Sequence, residues 1–232
     1  HRPLLRLPRN HQNRMIPPNK HSTLLALDTS GPACSVALLA GGNTLQAYEL
    51  EAQKHTREIL PLVDKLLQKG GIEKSAIQGI IISAGPGAFT GLRVGAAVAM
   101  GLAAAWNVPL LPVSSLALLA ATVQRHSGAN KILAVMDARM GEVYAGLYEN
   151  GACTGEDRVC APEALPAEWF EGALVAGAGT VYADRFPADA TLAEDHYMPE
   201  AIDAFSLLDS AAWQPPLQGI ELHYLRNDVV QR

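Results

Sequence analysis

The chain has 232 residues, 49% of them hydrophobic and 6% aromatic, with a formal net charge of −5. That length allows one large domain or two small ones, and no uncharged apolar run reaches the roughly 18 residues that a membrane-spanning helix needs. Residues 1–21 carry five of the 18 Lys+Arg and no acid, leaving 13 Lys+Arg against 23 Asp+Glu in the rest; a body so acidic lacks the clustered cations of a stand-alone nucleic-acid binder.

Residues 1–21 contain Pro3, Pro8, Pro17 and Pro18. They have neither the apolar core nor the cleavage site of a secretory signal, and their prolines oppose an amphipathic transit helix. Two readings stand. One is a leader foreign to the fold, vector-derived or translated from upstream, with Met15 as the native start. The other is a basic docking arm.

Residues 23–28, "TLLALD", read as a buried strand ending on an acid. "ACSVALLAGG" and the alternating "TLQAYELE" follow, and the three together predict an antiparallel meander. In "HTREILPLVDKLLQKGG", Ile59, Val63, Leu66 and Leu67 recur at helical spacing, and Gly70-Gly71 ends the helix. Pro61 belongs in a first turn, so the helix is expected to start near Arg57 or Glu58. "IQGIIISAG" is continuously apolar, as a strand buried on both faces is. Then come the loop "SAGPGAFT", a helix over 91–106 with Thr90 as its expected N-cap, the strand "VPLLPVSS", and a helix capped by Ser114 or Ser115.

After Gly128 the plan restarts. "KILAVMDARMGEVYAGLYENG" repeats the order of "TLLALDTSGPACSVALLAGG": apolar strand, terminal Asp, small turn, second strand, glycine turn. Asp137 thus matches Asp28, and the duplicated unit predicts two similar lobes facing each other. The expected division is lobe one over 22–115 and lobe two over 116–232, with the C-terminal segment returning to lobe one. "GALVAGAGT" reads as a strand and glycine turn, and helices are expected around 180–184 and 199–212.

The cysteines, Cys34, Cys153 and Cys160, are odd in number and form no CxxC, which suits a reducing compartment, the cytoplasm. The body histidines, His55, His126, His196 and His223, form no HxxxH pattern, so no dedicated metal site is expected.

The glycine loop lacks the Lys of a phosphate-binding GxxxxGK[ST]. Its GxGxxxG spacing, with no acid closing the next strand, also departs from a dinucleotide fingerprint. In the helix behind it, Gly91, Gly95, Ala99 and Ala103 recur every fourth residue and form a ridge of almost no side-chain volume. Such a ridge admits a close second backbone. It serves either a partner or the protein's own sheet, since a helical glycine costs roughly 1 kcal/mol and needs a packing reason. Arg93 sits against the helix dipole and is expected to find a partner such as a carboxylate. The turns after Asp28-Thr29-Ser30 and Asp137 offer hydroxyls and backbone N–H groups to an anion. Across a cleft the two hairpins could clamp nucleotide phosphates, with the acids holding Mg²⁺ through water. Capping of their own turns is the plainer alternative.

The strings "LALDTSGPACSVAL", "HTREILPLVD", "GPGAFTGLRVG", "VSSL", "DARMGEVYAGLY" and "YLRN" occur in order from Thr23 to Asn227. Together they resemble the bacterial TsaB family of tRNA threonylcarbamoyladenosine biosynthesis proteins, also known as YeaZ and once labelled M22 glycoprotease-like. The family is a branch of the actin/Hsp70/sugar-kinase superfamily. The resemblance implies an α/β, two-lobed actin-like ATPase (ribonuclease H-like) fold with duplicated hairpin-containing lobes. It also implies a non-catalytic partner of the paralogue TsaD, which transfers threonylcarbamoyl to the adenosine next to the anticodon of tRNAs reading ANN codons. TsaD holds its metal with an HxxxH pair that this chain lacks. The two lobe-one helices are implied to form the interface, through Ile59, Val63 and Leu66 on the first and Gly91, Arg93, Gly95, Ala99 and Ala103 on the second. The implied assembly includes the ATPase TsaE and, functionally, TsaC, with tRNA held by the complex and a homodimer when the chain is alone. No cofactor is expected in this chain, the resemblance leaving room for ATP or ADP with Mg at the level of the complex, and Gly177 and Gly179 fall where the superfamily's nucleotide-pocket glycine turn would lie. On this view Gly95→Leu should break partner binding and spare the monomer. The rivals are a self-sufficient ATPase or small-molecule kinase using Asp28 and Asp137, and a peptidase, for which no catalytic set stands out.

Overall fold

The computed structural model describes residues 17–50 and 55–225. Residues 1–16 of the expected leader, and Arg226 and Asn227 of the "YLRN" string, lie outside the described residues. Strands β1 (Leu24–Asp28), β2 (Cys34–Ala40) and β3 (Asn43–Glu49) form the expected antiparallel meander. Strands β4 (Gly79–Ser83) and β5 (Leu110–Val113) continue the sheet in parallel, in the order β3-β2-β1-β4-β5. Every residue of β4 is buried, as its uninterrupted apolar run predicts.

A second sheet repeats the plan. Strands β6 (Lys131–Arg139) and β7 (Glu142–Glu149) form its hairpin. On one side β7 pairs with β8 (Ala152–Cys153) and β9 (Arg158–Cys160). On the other, β10 (Leu174–Ala176) and β11 (Thr191–Leu192) extend β6 in parallel. The duplicated strand–Asp–turn–strand unit is therefore one hairpin per sheet, and the two sheets make an α/β fold of two lobes.

Helices α1 (His55–Gly70) and α2 (Phe89–Trp106) cover one face of the first sheet. Ile59, Val63, Leu66 and Leu67 pack there against Leu25, Leu27, Ile80 and Ile82, each fully buried side chain contributing about 1.5–3 kcal/mol. α1 begins at His55, ahead of the expected start, and carries Pro61 inside it. A proline removes one donor, but its fixed φ is helical, so a turn can form before it. α2 begins at Phe89 with Ala88, not Thr90, at its N-cap and with no side-chain cap. A tertiary contact sets that start instead: Ala88 N–H donates to Ser30 O at 2.8 Å. Ser114 caps α3 (Ser115–Ser127) by accepting from Ala117 N–H at 3.3 Å.

α3 lies between the sheets. Leu118 belongs to the first sheet's core, and Leu116 and Leu119 to the second's. The segments expected as helices near 180 and 200 are 3-10 turns, Ala178–Arg185 and Ala201–Leu207. The second of these returns to the first sheet, packing Ala201, Ala204 and Leu207 on Leu24, Ala26 and Ile81. A polar seam fixes it: Arg125 Nε reaches Asp203 Oδ1 at 2.7 Å, while Glu200 accepts from Arg125 and Gln46, both at 2.8 Å. Farther on, Gln214 pairs with Leu110, and His223 N–H donates to Ala84 O at 2.8 Å.

Candidate functional site

The two hairpin turns sit differently. In the first lobe Asp28, Thr29 and Ser30 are all buried. Asp28 Oδ1 accepts from Ser30 Oγ at 2.7 Å and from Ser30 N–H at 3.3 Å. Thr29 Oγ1 donates to Gly91 O at 2.8 Å. A Cβ at Gly87 would overlap Ser30 O, so the glycine loop lies directly on this turn. The hydroxyls expected to face an anion thus hold the turn and the start of α2.

In the second lobe Asp137 Oδ1 accepts from Arg139 N–H at 2.8 Å and from the Tyr182 hydroxyl at 3.0 Å, and Arg139 Nη1 is 3.2 Å from Oδ2. The bond to Asp137 is the main cause that raises the Tyr182 pKa, followed by burial and the carboxylate charge. Gly177 has φ 114, and a Cβ there would overlap the Val135 carbonyl. A Cβ at Gly179 would come within 2.9 Å of Val135 Cβ. These glycines let the 178–185 turn lie on β6.

Between the lobes is a cleft of about 820 Å³. It brings Ser30 of the first turn together with Asp137 of the second, but Asp28, Thr29, Gly177 and Gly179 are not in its lining. Four aromatic side chains line it: Phe89, Tyr144, Tyr197 and Tyr224. Asp137 and Arg139 are its charged lining residues, and they pair with each other.

The structure places most of the residues of the expected interface inside the chain. Ile59, Val63, Leu66, Gly91, Gly95, Ala99 and Ala103 are all buried within the chain; of the eight residues, Arg93 is exposed. A Cβ at Gly95 would overlap Thr29 Oγ1 and lie 3.2 Å from Ile82 Cδ1, so the small ridge admits the protein's own sheet. The outward face of α2 carries a second small stripe, Ala97, Gly101 and Ala105, again every fourth residue after Arg93. A Cβ at Gly101 would meet nothing within 4 Å. Beside it α1 exposes Leu60, Asp64 and Lys65. Among the described residues α2 is the one helix long and apolar enough to cross a membrane by length and composition, and only 33% of it is buried in the chain.

Among the described residues Arg93 finds aromatic partners rather than the expected carboxylate. Its guanidinium lies 3.6 Å from the Phe89 ring centroid, and Nε donates to the Tyr224 hydroxyl at 3.4 Å. Phe89 and Tyr224 are themselves 5.7 Å apart between centroids. The C-terminal segment therefore rests on the first turn of α2.

Two hairpin-bearing lobes, a joining helix and a cleft between the turns define a two-lobed, actin-like α/β protein. Residues 48–172 match the family model described as TsaD: tRNA N6-adenosine threonylcarbamoyltransferase. The tRNA threonylcarbamoyladenosine biosynthesis protein TsaB of Haemophilus influenzae is 33% identical over 223 residues, covering 89% of this chain and 94% of that protein. TsaB of Escherichia coli is 42% identical over 137 residues, 58% of this chain and 59% of that protein. The solved structure of YeaZ from Pseudomonas aeruginosa superposes with a TM-score of 0.81 at 38% identity, covering 88% of this chain and all of that one. The chain belongs to the TsaB family of tRNA threonylcarbamoyladenosine biosynthesis proteins.

Proposed function

We propose that this chain is a non-catalytic subunit for threonylcarbamoyl transfer to tRNA, acting by docking a TsaD paralogue through the outward faces of α1 and α2. The observation that carries this reading is the 18-residue α2. It is apolar along its length, yet it leaves Ala97, Gly101 and Ala105 uncovered. A small, flat helical face lets a second helix approach closely. Its burial would withdraw apolar surface from water at roughly 25 cal/mol per Å². Arg93, Asp64 and Lys65 give the rim charges that set register.

In this reading the fold has kept its hairpins but redirected their hydroxyls to internal bonds. ATP or ADP with Mg then binds at the level of the complex. TsaE and TsaC act in the same pathway, and tRNA is held by the assembly rather than by this acidic chain. The free chain covers the same face by forming a homodimer, and the setting is the cytoplasm. The rival, a self-sufficient ATPase or kinase, requires Mg²⁺-dependent nucleotide turnover by the chain alone.

The test is to deplete the protein in its host and quantify threonylcarbamoyladenosine in total tRNA by nucleoside mass spectrometry. Loss of the nucleoside while the TsaD paralogue persists is the expected result. Unchanged levels, with ATP turnover by the purified chain, would favour the rival.

A further inference from the structure

Asp157, in the loop between β8 and β9, is half-buried and belongs to neither hairpin turn. Its Oδ2 accepts from Ser114 Oγ at 3.0 Å, and its Oδ1 accepts from the Tyr148 hydroxyl at 3.0 Å with Cys153 Sγ at 3.9 Å. The strand beneath makes room for it: a Cβ at Gly146, inside β7, would overlap Asp157 Oδ1. A glycine in a strand interior costs stability, and here it admits a carboxylate. Burial raises the Asp157 pKa, and the donors Ser114 and Tyr148, the His223 charge and Cys153 offset this only in part. The groups against the carboxyl are thus Tyr148 from β7, Cys153 at the end of β8 and Ser114 at the start of α3, with the charge of His223 in the C-terminal segment acting on it.

Ser114 and Ser115 are neighbours that bind in opposite directions. Ser114 holds Asp157 of the second lobe. Ser115 holds the glycine loop of the first: Gly85 N–H donates to Ser115 Oγ at 3.2 Å, and Ser115 N–H donates to Gly85 O at 2.9 Å. Gly85, at φ 108, has no space for a side chain, since a Cβ would come within 2.6 Å of His223 O. The residues that follow it begin α2.

We infer that Asp157, Ser114, Ser115 and Gly85 form a relay that couples the seating of the second lobe's β8–β9 loop to the glycine loop that launches α2. The carboxylate at 157 accepts from Ser114 on one oxygen and from Tyr148 on the other, which an amide with one acceptor oxygen cannot do, and so fixes Ser114. Ser114 fixes the first turn of α3, and the next residue in that turn fixes Gly85. The consequence for a partner rests on the docking role proposed for α2; the relay itself is a property of the free chain.

The experiment is hydrogen–deuterium exchange on the full chain, comparing wild type with Asp157→Asn, Ser115→Ala and the double variant. Asp157→Asn should speed exchange of the amides in 85–92 by roughly tenfold, the equivalent of about 1.4 kcal/mol, as well as those in 143–158. In the double variant the effects at 85–92 should be less than additive, because both act on one path. Acceleration confined to 143–158, or full additivity, would overturn the relay. If Asp157→Asn does not fold, Ser114→Gly removes the donor to Asp157 at a helix N-cap position where glycine is tolerated; faster exchange at both 85–92 and 143–158 supports the relay, and no change at 85–92 overturns it. A relay that operates while partner binding is indifferent to α2 would count against the docking role alone.

Discussion

Thr29 and Gly91 are joined by a 2.8 Å hydrogen bond across 62 positions of sequence. The hydroxyl that would face a phosphate in a nucleotide clamp instead ties the first hairpin turn to the first turn of α2. Ser30 adds a second tie through its carbonyl, which accepts from Ala88 N–H. In this lobe the turn that follows Asp28 works as an anchor for a helix.

Thr29→Val keeps the side-chain shape and removes the donor. The expected loss is about 1–2 kcal/mol of unfolding free energy, the scale of a buried neutral hydrogen bond. Urea denaturation of the two proteins at one pH measures it. Identical midpoints would show that the anchor contributes nothing.

The hairpins, the duplication and the order of strands and helices were legible because they rest on local signals. Apolar runs ending on Asp28 and Asp137, with positive-φ glycines such as Gly41 and Gly151 closing the second strands, need no knowledge of distant contacts. The facing of α2 was not legible. The helix has two small stripes at the same spacing, Gly91–Ala103 and Ala97–Ala105, and periodicity ranks neither. Burial chose between them through Thr29 and Ile82, which come from other elements. The partner of Arg93, Tyr224, lies 131 positions away, and no local pattern announces it. Thr90 looked like a cap because hydroxyls cap helices; the loop contact from Ser30 started the helix earlier.

The two stripes give opposite expectations for one kind of substitution. Gly95→Leu drives a side chain into Thr29 and Ile82, and should cost about 3 kcal/mol or more through overpacking. This reverses the expectation that it spares the monomer. Gly101→Leu meets open space, and should stabilise the monomer by about 0.5–1 kcal/mol through helix propensity. Thermal melts followed by circular dichroism should move the two variants in opposite directions.

Glu200 provides the pH dependence. Burial alone would push its pKa up, but donation from Gln46 and His126 and the charge of Arg125 outweigh that and hold it below the usual carboxylate value. A carboxylate depressed in the folded state adds stability above its unfolded pKa and loses it as pH falls through the lower, folded one. Wild type should therefore exceed Glu200→Gln in stability near neutral pH, with the gap closing in acid below the ordinary glutamate range. Parallel curves for the two proteins would remove Glu200 from that role.

Gly177→Ala tests the second lobe. At φ 114, with the Val135 carbonyl in the way, the variant should lose about 2 kcal/mol or more from strain and displacement of the 178–185 turn. Chemical denaturation measures that loss, and a neutral result would mean that the turn can move off β6.

The most direct test of the docking role is the affinity of the purified TsaD paralogue for wild type and for Gly101→Leu, measured by isothermal titration calorimetry. The predicted result is a folded variant, at least as stable as wild type, whose affinity falls by about tenfold or more, since a leucine on a flat contact face holds the helices apart. Equal affinities, with the variant folded, would contradict the assignment of the outward α2 face as the partner surface.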